Sequence, residues 1–307
     1  MAPVQAGIRS HHTAREQTRG RTRASDRPFS LAWMLGSFFL IGGGVASCAF
    51  ALRLLDISDP WYGHAGYYVG AVLGGFTIAR ASPGITIAEP TLAAFLLTCV
   101  LGGFFGLSPG SSLVWPENPG TDLWHRALSL GLVSLLGGLL GSSVGEHVTE
   151  RYPPADSEWK LWCWQAWMSA LAYAGCLLVS WIVILILGQW NRQGLPDTDV
   201  LMTLSFVVAA LTSGVVAQAL NHKRARLSSA AGPLLLMTLA GIAVVAATGE
   251  KPHVITFLAL SGVALSVLAF SGASLTYPIM QRITGRYAPG SAPPADPVEP
   301  PAPAPAS

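Results

Sequence analysis

The stretch from Gly70 to Pro90, GAVLGGFTIARASPGITIAEP, carries two helix ends and the turn between them. Gly70 and Gly74 share one face of an apolar helix, where small residues let another helix approach closely. Arg80 stops that helix at a water interface, Ser82, Pro83 and Gly84 make the turn, and Glu89 and Pro90 open the next apolar run. Pro suits a first helical turn, where its missing N–H costs little, and a carboxylate suits a helix N-terminus. A weaker copy returns later. Ala209 to Ala217 leads into the basic loop 221–226, and Pro233 opens another apolar run with Gly232 at the place of Glu89.

The rest of the chain has the same character. Of 307 residues 51% are hydrophobic and only 11% charged, and the mean hydropathy is +0.47, too few charges for an ordinary soluble surface. Runs without Asp, Glu, Lys or Arg cover 31–52, 60–79, 90–116, 127–145, 161–191, 200–222, 227–249 and 252–281. Each is near or above the roughly 20 residues a helix needs to cross about 30 Å of hydrocarbon. The second run is diluted by Gly, and the fourth is short. Continuous rather than alternating hydrophobicity disfavours a transmembrane barrel. The expectation is an all-α integral membrane protein of about eight transmembrane helices.

Scarce residues point to a tandem duplication of a four-helix unit. Ala32-Trp33-Met34 recurs as Ala166-Trp167-Met168, and the segment 148–154 recurs as 283–289, at shifts of 134 and 135. An even number of spans per unit makes the two copies parallel. The expected organisation is a basic disordered tail (1–28), a first repeat (29–150), a second repeat (151–287) and a Pro/Ala-rich disordered tail (288–307).

With both tails cytoplasmic, only Arg53, Arg126, Arg192 and Lys251 of the 18 Lys and Arg fall outside, as the positive-inside rule requires. The abundance of Arg, Ala, Gly and Pro suggests a bacterial inner (plasma) membrane. The N-terminal tail precedes a 22-residue apolar run without a persuasive cleavage site, which reads as an uncleaved anchor. The tail has no aromatic residues for base stacking, so no nucleic-acid partner is expected. Membrane lipids, and protein partners or a homo-oligomer, are the partners expected.

Few residues carry candidate chemistry. Arg80 and Glu89 are candidates for a gating or functional pair, with a salt bridge across the turn as the structural alternative. Gly70, Gly74, Gly137, Gly141 and Gly145 are candidate helix-packing positions. Arg151, Tyr152, Arg286 and Tyr287 are expected to anchor the two fourth helices at the headgroups. His64, His125 and His253 fall near outer span ends beside acids, without spacing that makes them converge on a metal. Ser142 and Ser143 with Glu146 and His147 offer a hydroxyl, an acid and a base, but a Gly-rich span end favours close packing. The four cysteines read as small buried residues. No catalytic residue, cofactor or metal site is expected. A non-enzymatic membrane component or partner subunit is the leading reading, and a small-solute or lipid transporter or channel with a path between the repeats is the alternative.

Overall fold

The computed structural model describes residues 29–57, 60–82, 86–105, 123–151, 158–190, 198–220, 226–249 and 251–285. They form eight helices: α1 (Leu31–Leu54), α2 (Pro60–Ala81), α3 (Ala88–Phe105), α4 (Leu123–Arg151), α5 (Glu158–Trp190), α6 (Thr198–Leu220), α7 (Arg226–Thr248) and α8 (His253–Gly285). Six of them, α1 and α4 to α8, are long and apolar enough to cross a membrane, the build of a multi-pass membrane protein. The 19-residue fourth run is extended by its flanks into one of these six. In α3 the described apolar part, Ala88–Leu101, is shorter. Gly, Tyr and His keep α2 less apolar than the rest, and it lies packed against α1 and α4.

Packing follows a ring in each half. Helix α1 packs on α2 and α3, and α4 packs on the same two; α5 packs on α6 and α7, and so does α8. The halves meet where α1 crosses α5. Helices α2 and α3, although joined by a short turn, barely touch, and the same holds for α6 and α7.

Lipid supplies no hydrophobic drive between helices, so these crossings depend on backbone proximity. A Cβ at Gly70 would collide with the backbone of Val45 and Gly44, and one at Gly74 with Ile41. On α4, Gly137, Gly141 and Gly145 lie against the carbonyls of Tyr68, Val72 and Phe76, each four residues along α2. At the junction of the halves, Gly43 lies on the carbonyl of Leu171 and Gly175 on that of Phe39.

Three apolar clusters fill the interior. Ile41, Val45, Ala71, Leu97 and Leu130 centre the first half. Trp33, Leu40, Met168, Leu171 and Leu220 fill the junction, and Tyr173, Cys176, Ala209, Ala210 and Leu265 fill the second half. The outward faces are apolar as well, with Leu132 and Leu136 on α4 and Phe257, Leu260 and Val267 on α8 exposed. Such surface suits acyl chains rather than water.

Two backbone details shape the second half. Pro233 lies inside α7 and has no N–H for the carbonyl of Ser229, four residues earlier. The Ser169 hydroxyl of α5 donates to that carbonyl instead. Helix α7 then ends at Gly249, whose φ of 70° favours glycine, and α8 begins four residues on.

Candidate functional site

The end of the bundle where α1, α3, α5 and α7 begin gathers most of the buried polar groups. Glu89, in the first turn of α3, is only 5% exposed, and its Oε1 accepts the Ser30 backbone N–H at 3.2 Å. It thereby ties the start of α1 to the start of α3. Glu146, near the end of α4 and 7% exposed, accepts the Thr86 N–H at 2.9 Å and holds the approach to α3. Each carboxylate satisfies a backbone donor that a helix start leaves without an intrahelical acceptor or that the turn exposes.

Arg80 turns the other way. No ion pair joins it to Glu89; its guanidinium lies 5.3 Å from the centre of the Trp164 ring on α5. Trp164 is held edge-to-face by Phe76 at 6.1 Å, and the Trp167 indole N–H donates to the Thr77 hydroxyl at 3.4 Å. The salt bridge across the turn, which the sequence allowed as an alternative, does not form between these two residues. The short turn leaves α2 and α3 splayed, and the facing aromatic surface of α5 takes the cation.

Polar side chains on α5 and α7 continue this layer into the second half. The Ser228 hydroxyl donates to the Gln165 Oε1 at 2.8 Å, beside the Ser169 to Ser229 bond. Ser142 donates to the carbonyls of Gly138 and Leu139 within its own helix, and His147 is exposed, so Ser142 and Glu146 do not form a nucleophile and base. Deeper in the membrane zone, Thr98 of α3 donates to Ser134 of α4 at 2.8 Å. Buried atoms without a partner among the described residues are the Tyr173 hydroxyl, the Gln218 Oε1 and the hydroxyls of Ser266 and Ser274, all in the second half.

The histidines divide. The His64 ring lies 3.5 Å from the Ser129 hydroxyl, which places it beside the stretch of α4 that carries His125 one turn away, while His253 starts α8 in the other half. Among the described residues no group of three or more His, Cys, Asp or Glu is placed to hold a metal. Of the cysteines only Cys176 is buried; Cys99 and Cys163 are exposed, which corrects the expectation of four buried residues. Arg151 closes α4, whereas Tyr152, Arg286 and Tyr287 lie outside the described residues, as do both tails and the acids Glu117 and Asp122. Glu146 is the site residue that sequence reasoning undervalued. Its signal was an acid inside the last turns of a Gly-rich apolar helix, where a charge needs a partner.

Comparison of the chain with protein-family models, with curated proteins and with solved structures finds no match.

Proposed function

We propose that the protein is a non-enzymatic, tightly packed membrane component or partner subunit, built from eight spans as two parallel four-helix units. The carrying observation is the junction. Gly43 on Leu171 and Gly175 on Phe39 bring α1 and α5 into backbone contact at mid-span, which leaves no room for a solute at that crossing. Helix α2, enclosed by α1 and α4, is counted as a span on its 22 residues, about 33 Å at the helical rise of about 1.5 Å per residue.

Duplication is supported by matching crossings. Gly75 lies on the Gly138 carbonyl and the Ser142 N–H, and Gly214 lies on the Ala269 carbonyl and the Ala273 N–H. Gly141 lies on the Val72 carbonyl, and Gly272 on that of Leu211. The pairs Gly75/Gly214 and Val72/Leu211 are both 139 apart, and Gly138/Ala269 and Gly141/Gly272 both 131 apart. The contacts Gly43 to Leu171 and Gly175 to Phe39 are reciprocal, with Gly43/Gly175 and Phe39/Leu171 both 132 apart, as a two-fold relation between units requires. Packing thus favours shifts of 132 and 131 for the first and fourth helices over the 134 and 135 of the sequence matches. A bacterial inner membrane remains the reading of the composition, and cytoplasmic termini that of the charge distribution.

One observation favours the transporter alternative, and it moves the path. The unpartnered Tyr173, Gln218, Ser266 and Ser274 atoms would be met by water or solute inside the second unit rather than between units. The test is labelling of single cysteines along α2, α4, α6 and α8 in a Cys-free full-length variant with a membrane-impermeant thiol reagent. Protection throughout the membrane zone supports the packed component. Labelling at mid-membrane positions on one face of a helix overturns it, and labelling confined to α6 and α8 installs the alternative.

A further inference from the structure

We propose that the corner where the end of α2 meets the start of α5 binds the phosphate of an anionic phospholipid, with Arg80, Lys160 and Trp164 as its donors. The proposal rests on the membrane reading but not on the choice between packed component and transporter.

Three hydrogen-bond donors stand on the two helix ends at this corner without an acceptor among the described residues. Arg80 is partly buried with its guanidinium over the Trp164 ring, and among the described residues no carboxylate or carbonyl accepts from it. Lys160 is exposed and lies four residues before Trp164, on the same face of α5 one turn outward. Among the described residues neither Lys160 nor the indole N–H of Trp164 has an acceptor. The nearby carboxylates of Glu89 and Glu146 are buried and engaged with backbone N–H groups. A phosphate between Arg80 and Lys160 supplies several oxygen acceptors where the described residues supply none, and guanidinium fits that geometry well. Basic pockets between helices at a headgroup surface take anionic lipid for this reason.

The apolar surroundings select a lipid over a free anion. Val69, Leu73, Phe76 and Arg80 fall at i, i+4, i+7 and i+11, one stripe of α2, and Val69 and Leu73 are exposed. An acyl chain laid on Val69 and Leu73 therefore leads its headgroup to the guanidinium. Phe76 braces Trp164 beneath it. At the opposite corner, where α6 meets α1, Leu220 packs against Gly36 and Trp33.

The test uses the full chain in detergent, equilibrated with equal phosphatidylglycerol and phosphatidylcholine, with retained lipid read by native mass spectrometry. The wild type is expected to retain phosphatidylglycerol preferentially. Arg80→Gln is expected to lose that retention roughly tenfold, the scale of one charge-assisted hydrogen bond. Lys160→Gln, at an exposed position, is expected to lose part of it, and phosphatidylcholine carry-over is expected to stay unchanged in both. Equal retention of the two lipids by the wild type overturns the proposal. So does full phosphatidylglycerol retention by both variants. Inorganic phosphate, added without lipid, is the third arm: if it raises the melting temperature of the wild type but not of Arg80→Gln, the site belongs to a free anion and the lipid proposal falls.

Discussion

Gly43 and Gly175 illustrate what a single hydrogen in place of a methyl does in this protein. An added Cβ would fall within the van der Waals envelope of the Leu171 or the Phe39 carbonyl, and backbone cannot yield as a side chain can. Gly175→Ala is expected to destabilise by about 1–3 kcal/mol, the usual cost of overpacking. Gly66→Ala, whose nearest neighbour is the flexible end of Leu52 at 3.1 Å, is the milder control. Thermal unfolding in a single detergent compares the two, and equal losses would remove the backbone argument. Ser169 makes a second case. Ser169→Ala leaves the Ser229 carbonyl without its donor and is expected to cost about 1–2 kcal/mol. In a Pro233→Ala background residue 233 regains its N–H, so the same substitution is expected to cost less. A double-mutant cycle measures that difference, and strict additivity would dissociate the hydroxyl from the proline.

At the scale of elements, the carboxylates act as ties between helix starts. Glu146→Ala leaves the Thr86 N–H without its acceptor and is expected to cost about 1–3 kcal/mol, whereas Glu146→Gln keeps an acceptor oxygen and costs less. Hydrogen exchange at the start of α3 is the local readout: it should accelerate in the alanine variant before exchange at the centre of α4 changes. If both regions accelerate together, Glu146 supports the whole bundle rather than this turn. The α7–α8 turn depends on Gly249. At its φ of 70°, Gly249→Ala is expected to cost about 1–2 kcal/mol through left-handed backbone strain alone, because no atom lies within 4 Å of a Cβ there. A melting temperature unchanged by that substitution would show that the turn relaxes.

For the whole molecule the α1–α5 crossing decides whether the halves behave as one body. Its contacts are backbone-close and flanked by the junction cluster of Trp33, Leu40, Met168 and Leu171. A single unfolding transition is expected, and Gly175→Ala should lower it without splitting it. Two separated transitions, with α6 and α8 melting apart from α2 and α4, would mean that each half is stable alone. The packed junction is also why the proposed role is that of a membrane component, and thiol labelling at mid-span tests both ideas in the same protein.

Much of this was legible along the chain because the membrane imposes local rules. Long charge-free runs mark helices wherever backbone groups must be satisfied within one segment, and each of the eight runs overlaps one of the eight described helices. Gly70 and Gly74, and the Gly137, Gly141 and Gly145 series, marked faces on which a second backbone could approach, but not which backbone. The ring in which α2 meets α4 and avoids α3 depends on distant segments fitting together, and apolar sequence reads alike on either partner. The same limit hid the separation of Arg80 from Glu89. Nine residues apart along the chain, they suggested a pair, yet the cation found Trp164 and the carboxylate found Ser30, each from a helix distant in sequence. Composition and run length determined that this is a helical membrane protein, since hydrocarbon tests every segment separately. Tertiary structure decided which polar groups meet, because that depends on the geometry of helices brought together by packing.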